Sequence, residues 1–173
     1  MAFGPRICKT VRMTIAIEPF APAHLPAVLD LSMRSWEPVF AALAEEMPPY
    51  IYRAFWPAGW RTRQAEEVAQ VCRDRETDVH VALEEDTVAG FVGIRLHPED
   101  SMGEIYIVAV DPDHQRKGIG RKLIEFALER MRAEGCAIAM VETSGDSGHA
   151  PARAAYEQAG FSNWPIARYF REL

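Results

Sequence analysis

The sequence has little of what marks most specialised protein classes. It holds three cysteines, Cys8, Cys72 and Cys136, and no CxxC spacing. Three thiols are too few for a disulfide framework, so they read as buried or free thiols in a reducing compartment. No apolar run approaches the roughly 18 residues of a membrane span. The N-terminal stretch MAFGPRICKTVRMTIAIEP lacks the uninterrupted apolar core and small-residue cleavage site of a signal peptide. A cytoplasmic protein with no membrane partner is expected. Positive charge is also short, 19 Lys and Arg against 25 Asp and Glu, for a net charge of −6. That balance argues against nucleic acid as a partner and is compatible with a cationic small molecule. His80, His97, His114 and His149 are scattered without ligand spacing, so no metal is expected. No Ser/His/Asp or Cys/His hydrolase pattern, internal repeat or low-complexity linker stands out.

What is present is an ordinary globular composition: 173 residues, 49% hydrophobic and 25% charged. One domain with its own core fits that length. Residues 1–11 read as a tail, with Met13 as an alternative start, and the domain as 12–173. Residues 12–18 alternate and carry β-branched side chains, predicting a first strand. Leu25, Val28, Leu29 and Ser32 predict a helix over 22–36. Pro38 is expected to interrupt it, with a second short helix at 39–47 ended by Pro48-Pro49. An aromatic stretch at 50–60 and a helix at about 61–75 follow. Residues 78–84 and 87–96 predict a hairpin, and 103–110 (GEIYIVAV) a central strand buried on both faces. An amphipathic helix from Gly118 to Glu134 ends at Gly135. A strand at 137–142, a helix at 150–159 and a last strand or hairpin within 161–170 complete an α/β domain with a mixed sheet.

The segment that carries chemistry runs from Val108 to Lys122, VAVDPDHQRKGIGRK. It places a Gly-bearing turn between a buried strand and an amphipathic helix. Free backbone N–H groups at a helix N-terminus attract an anion, and glycine lets main chain approach it closely. Arg116, Lys117, Arg121 and Lys122, with no acid between Asp113 and Glu125, form a basic spot on an acidic chain. Pyrophosphate is the natural guest. The sequence has no GxxxxGK[ST] loop, and its GxG lacks the third glycine and the βαβ order of a dinucleotide fold.

The stretch AVDPDHQRKGIGRKL resembles the Q/R-x-x-G-x-G/A turn of the GCN5-related N-acetyltransferase (GNAT) superfamily, and AAYEQAGF (154–161) is similar to that family's final helix and following strand. The order of elements agrees from about residue 13 onward. The resemblance implies a single GNAT-like α/β domain, its mostly antiparallel sheet splayed between the fourth and fifth strands and flanked by helices. It implies acetyl-CoA as co-substrate and transfer of the acetyl group to an amine, a small molecule or a protein amine, by direct attack in a ternary complex. A homodimer is allowed.

By the same resemblance, Val108, Ala109 and Val110 would offer main-chain groups to the pantetheine arm, with 139–141 as the splay partner. Arg116, Lys117, Gly118, Ile119, Gly120 and Arg121 would wrap the pyrophosphate, chiefly through backbone N–H. Tyr156 matches the position whose hydroxyl protonates the departing thiolate, and an oxyanion would meet backbone N–H groups near Val110. The family commonly has an Asn seven residues before that tyrosine. Here it is His149, which would donate the same hydrogen bond to the coenzyme, act as the base, or sit at a helix start. For the general base Glu104, Glu142 and His149 compete, beside a reaction with no protein base. Glu104 shares a strand face with Tyr106, Val108 and Val110 unless a bulge intervenes. Trp36, Glu37, Phe40, Trp56 and Trp60 either frame the amine by cation–π contact and charge or pack the core. A non-catalytic acyl-CoA sensor and a transferase using another acyl-CoA are the rival readings.

Overall fold

Val79, Val81 and Leu83 alternate with smaller or polar residues, and Thr87–His97 is rich in β-branched side chains; both segments fold as strands. The computed structural model describes residues 15–173. The expected tail at 1–11, Cys8, Met13 and residues 12–14 of the expected first strand lie outside the described residues. The strands are β1 (Ile15–Pro19), β2 (Asp78–Glu84), β3 (Thr87–His97), β4 (Met102–Val110) and β5 (Ile138–Val141). The helices are α1 (Leu25–Glu46), α2 (Pro49–Phe55), α3 (Trp60–Val71), α4 (Ile119–Ala133) and α5 (Ala150–Gln158). The sheet order is β1-β2-β3-β4-β5, antiparallel except for the parallel β4–β5 pair.

Each sheet face carries its own core. Val28 and Leu31 of α1 and Val68 and Val71 of α3 pack on Val81, Phe91 and Ala109. Leu123, Ile124, Ala127 and Met131 of α4 pack on Val92, Ile94 and Ile105 from the other side. The α4 face comes so close to β4 that a Cβ on Gly103 would lie 2.3 Å from Met131 Cγ. Cys72 is buried in the first cluster, and burial pushes its thiol up to about 11, which keeps it protonated.

Two expectations fail for stated physical reasons. Pro38 does not interrupt the chain: α1 is one helix of 22 residues with Pro38 inside it. Proline in a helix interior costs about 3 kcal/mol. Val28, Leu31 and Ser32 before it and Phe40 and Leu43 after it are all buried, so tertiary packing outweighs the local penalty. The strand or hairpin expected in 161–170 does not form; the chain after Gly160 is irregular to Leu173. Pro165 cannot donate to a ladder, and Trp164, Ile166 and Tyr169 remain exposed. This segment crosses to α2, where the Tyr50 hydroxyl donates to the Phe170 carbonyl at 3.1 Å and Phe55 meets Phe170 edge-on.

Candidate active site

The β4–β5 pairing is short. It runs from Met102↔Ile138 to Ile105↔Val141 and stops, while β4 continues to Val110 along β3. From Tyr106 to Val110 the β5-facing edge of β4 therefore has no strand partner, and a wedge opens between the two strands. The expected burial of this strand on both faces is not met: Tyr106 is exposed, and Ile107, Val108 and Val110 are half-buried. Gln115 Nε2 already donates to the Val110 carbonyl at 3.2 Å.

The wedge leads to the start of α4. Asp111 ends β4, and its buried carboxylate accepts both the Asp113 N–H and the Arg34 guanidinium, which reaches over from α1. Arg34 also holds Asp113 at 3.0 Å. The turn that follows is left-handed at Arg116 (φ 59°) and at Gly118 (φ 83°). Glycine suits the second of these, since a side chain is strained there. The α4 N-terminus has no side-chain cap and no acid in its first turn, so its first N–H groups have no capping acceptor. A Cβ on Gly120 would meet only Val110 Cγ2, at an ordinary 3.6 Å. The fold has room for alanine at 120, so packing does not explain the glycine, whereas an anion lying against this turn does. The residues present fit a pyrophosphate.

The four cations of this turn are not equally available. Lys117 Nζ donates to Glu84 Oε2 at 3.0 Å, and His114 Nδ1 meets the same oxygen. The Lys117 hydrogen bond, with a smaller contribution from His114, holds the Glu84 carboxyl below the usual carboxylate range despite desolvation. Arg121 pairs with Glu125 at 2.6 Å. Among the described residues, Arg116 and Lys122 have no acidic partner. The sequence hid Glu84, which lies on the far side of two strands.

Glu104 sits one residue before the last β4–β5 pair. Gly103 and Ile105 face α4, so Glu104 faces the α1/α3 side of the sheet. The expected qualification applies: Gly93 pairs with Ile107 but Ile94 with Ile105, which leaves Tyr106 as the extra residue of a bulge. Beyond it the alternation reverses. Ile107 and Ala109 pack on the α1/α3 side and Val108 and Val110 on the α4 side, so Glu104 does not share a face with the last two. Glu104 Oε2 meets His97 Nε2 at 2.9 Å.

Tyr156 packs with Val108, Val110 and Val141 around the α4-side cluster, and its ring meets Phe161 edge-on at 6.0 Å. Burial alone raises its phenol above the ordinary value, which keeps the proton on. His149 stands at the N-cap of α5, seven residues or about two turns from Tyr156 and on the same helix face. Its Nδ1 lies 2.6 Å from Asp146 Oδ2, a carboxylate with 6% side-chain exposure. Burial pushes the Asp146 carboxyl up, but hydrogen bonds from Ser144 and His149 bring it net below its ordinary value. Glu142, by contrast, is exposed and 3.5 Å from Arg168.

The aromatic residues after α1 are largely committed to one another. Phe40 is buried and stacked on Trp60 at 4.3 Å, Trp56 meets Phe40 edge-on, and Trp36 packs against the α1/α3-side core. Arg61 lies over Trp60 and pairs with Glu37, taking the places an amine would use on both. Trp36 and Trp56 are half-buried and have no cation over their rings among the described contacts.

A family model described as the acetyltransferase (GNAT) family matches residues 36–161. The mycothiol acetyltransferase of Saccharopolyspora erythraea is 34% identical over 143 residues, 80% of this chain and 40% of that protein. The mycothiol acetyltransferase of Beutenbergia cavernae is 43% identical over 70 residues, 40% of this chain and 22% of that protein. The chain thus spans less than half the length of these curated relatives. Among solved structures, the ribosomal-protein-S18-alanine N-acetyltransferase from Escherichia coli superposes with a TM-score of 0.64 at 22% identity, over 90% of this chain and 82% of that one. A PaiA N-acetyltransferase from Thermoplasma acidophilum, in complex with coenzyme A, gives 0.63 at 16% identity, over 87% and 91%. At these identities the likeness is one of fold.

Proposed function

From the chain's membership of the GNAT acetyltransferase family, we propose that it moves an acetyl group from acetyl-CoA to the nitrogen of an amine. The observation that carries this reading is the wedge between β4 and β5, opening onto an uncapped helix N-terminus behind a glycine turn. An extended arm fits the free edge of β4 at Tyr106–Val110 as a further strand would, with Val108, Ala109 and Val110 supplying main-chain groups. Its pyrophosphate meets the N–H groups around Gly118, Ile119, Gly120 and Arg121, with the Arg116 side chain as an available cation. The Lys117 side chain serves the loop through Glu84, so its share in binding falls to the backbone.

Acetyl-CoA supplies an activated acetyl thioester. Glu104 takes the proton from the attacking amine on one side of the sheet, and free N–H groups of β4 beyond Ile105 steady the developing oxyanion. Tyr156, approaching from the α5 side and held protonated by burial, donates to the departing thiolate. His149, fixed by Asp146, contacts the coenzyme arm at the mouth of the wedge.

The test is release of CoA from acetyl-CoA across a panel of amines, beginning with amines related to mycothiol because of the relatives found. Acetyl-CoA should raise the melting temperature, because a ligand that binds only the folded state stabilises it. Binding with no turnover on any amine would make the domain a sensor, and turnover only with a longer acyl-CoA would reassign the donor.

A further inference from the structure

The proposed reaction liberates a proton beside the sheet, and among the described residues Glu104 has one side-chain partner through which to pass it on. Arg95 is the residue directly opposite Glu104 on β3, yet its guanidinium turns away. It donates to Thr77 Oγ1 at 2.8 Å and Asp74 Oδ2 at 3.1 Å and lies 3.4 Å from the centre of the Tyr106 ring. No Lys or Arg pairs with Glu104 among the described residues, which leaves the carboxylate free to act as a base. Its partner is His97, the diagonal neighbour at the end of β3, 30% exposed where Glu104 is 16% exposed. His97 lines an open cavity of roughly 950 Å³ at the end of the sheet. The charged groups that share this cavity with it are Asp74, Arg75, Glu76, Asp78, Arg95 and Glu99. No β4 residue lines that cavity, so His97 is what joins Glu104 to it.

We infer that His97 is a positioning residue that carries the reaction proton from Glu104 to solvent through this cavity. The inference rests on the acetyltransferase reading above. The amine N–H bond breaks and a Glu104 carboxylate oxygen takes the proton. Glu104 passes it to Nε2 of neutral His97, and the imidazolium gives up its Nδ1 proton to water in the cavity. The imidazole then swings off Glu104, loses its Nε2 proton to cavity water and regains one at Nδ1 from that water, which restores the starting tautomer. Each turnover thus releases one net proton and leaves both side chains unchanged. Acids outnumber bases around the cavity, Asp74, Glu76, Asp78 and Glu99 against Arg75 and Arg95, which favours the departing cation.

The experiment compares wild type, Glu104→Gln, His97→Asn and His97→Gln by CoA release, with and without added imidazole. His97→Asn and His97→Gln should each lower kcat about a hundredfold, at the low end of what a positioned proton-transfer group supplies. KM for acetyl-CoA and its thermal shift should stay as in wild type. Imidazole, entering the open cavity, should restore kcat saturably in both His97 variants and leave Glu104→Gln slow. An unchanged kcat in the His97 variants, or a loss that imidazole does not repair, overturns the relay while leaving the acetyltransferase reading in place. A wild-type protein that releases no CoA with any amine overturns that reading itself.

Discussion

At the scale of single residues, the two positions that separate a ligand site from ordinary packing are Gly120 and Tyr156. A methyl group at 120 meets nothing in the protein closer than 3.6 Å. Alanine is also the better helix former by up to about 1 kcal/mol. Gly120→Ala should therefore melt at or above the wild-type temperature without ligand, yet show a much smaller thermal shift with acetyl-CoA. Equal shifts would remove the pyrophosphate from this turn. Tyr156→Phe keeps the ring packed against Phe161 and the α4-side cluster and removes only the hydroxyl. Turnover should fall roughly 10²–10⁴-fold with acetyl-CoA binding nearly intact. Unchanged turnover would make Tyr156 a packing residue. Both residues stood out in the sequence because they sit in short contiguous motifs. Glu84, His97 and Asp146 did not, although Asp146 lies only three residues from His149.

At the scale of elements, local rules read most of the chain well and failed where packing overrode them. The extents of β2, β3, α4 and α5 follow from alternation, amphipathic spacing and the flanking Gly and Pro residues. Pro38 is the exception, because the sequence shows its cost and the fold supplies its compensation. Its side chain is exposed and its missing N–H leaves one helix bond unmade in the middle of α1. Pro38→Ala should thus stabilise the protein, by about 1–3 kcal/mol, read as a higher melting temperature. A drop would mean that α1 needs the proline. The bulge at Tyr106 is a second feature that no local rule fixes: it appears only when β3 and β4 are set side by side. It decides on which side of the sheet Glu104 works relative to Val108 and Val110.

At the scale of the whole molecule, the acid response should reveal a histidine that the proposed reaction does not use. His80 is buried against Phe126, its Nδ1 has no hydrogen-bond partner among the described residues, and burial lowers its pKa, with Asp78 opposing next and Arg130 adding the smallest, lowering, contribution. An unfolded-chain histidine titrates near 6.5. With the folded value lower, the unfolded state binds the proton first as pH falls. The stability that neutral His80 contributes is thus complete above about pH 6.5 and is lost as pH falls through the folded value. The carboxyls held low in the fold, such as Asp74, Glu84 and Asp146, act in a separate window below about pH 4. Melting temperature should fall between pH 7 and pH 5 in wild type and fall less in His80→Leu. Equal slopes would place the acid sensitivity in another group.

The sequence by itself determined the family, the α/β class and the order of the strands with α4 and α5, and it pointed to the turn at Gly118–Gly120 as the candidate anion site. These are properties of contiguous segments: alternation, helical spacing, helix caps and a glycine turn act within a few residues. Only the tertiary structure decided which charges remain available. Lys117 is taken by Glu84 from 33 residues away, and Arg34 of α1 holds Asp111 across 77. It also decided that Glu37 and Trp60 serve Arg61 rather than an amine, and that Glu104 faces His97 and an open cavity. Electrostatic partners and strand register are set by what folding brings within a few ångströms, and separation along the chain carries almost no information about that distance.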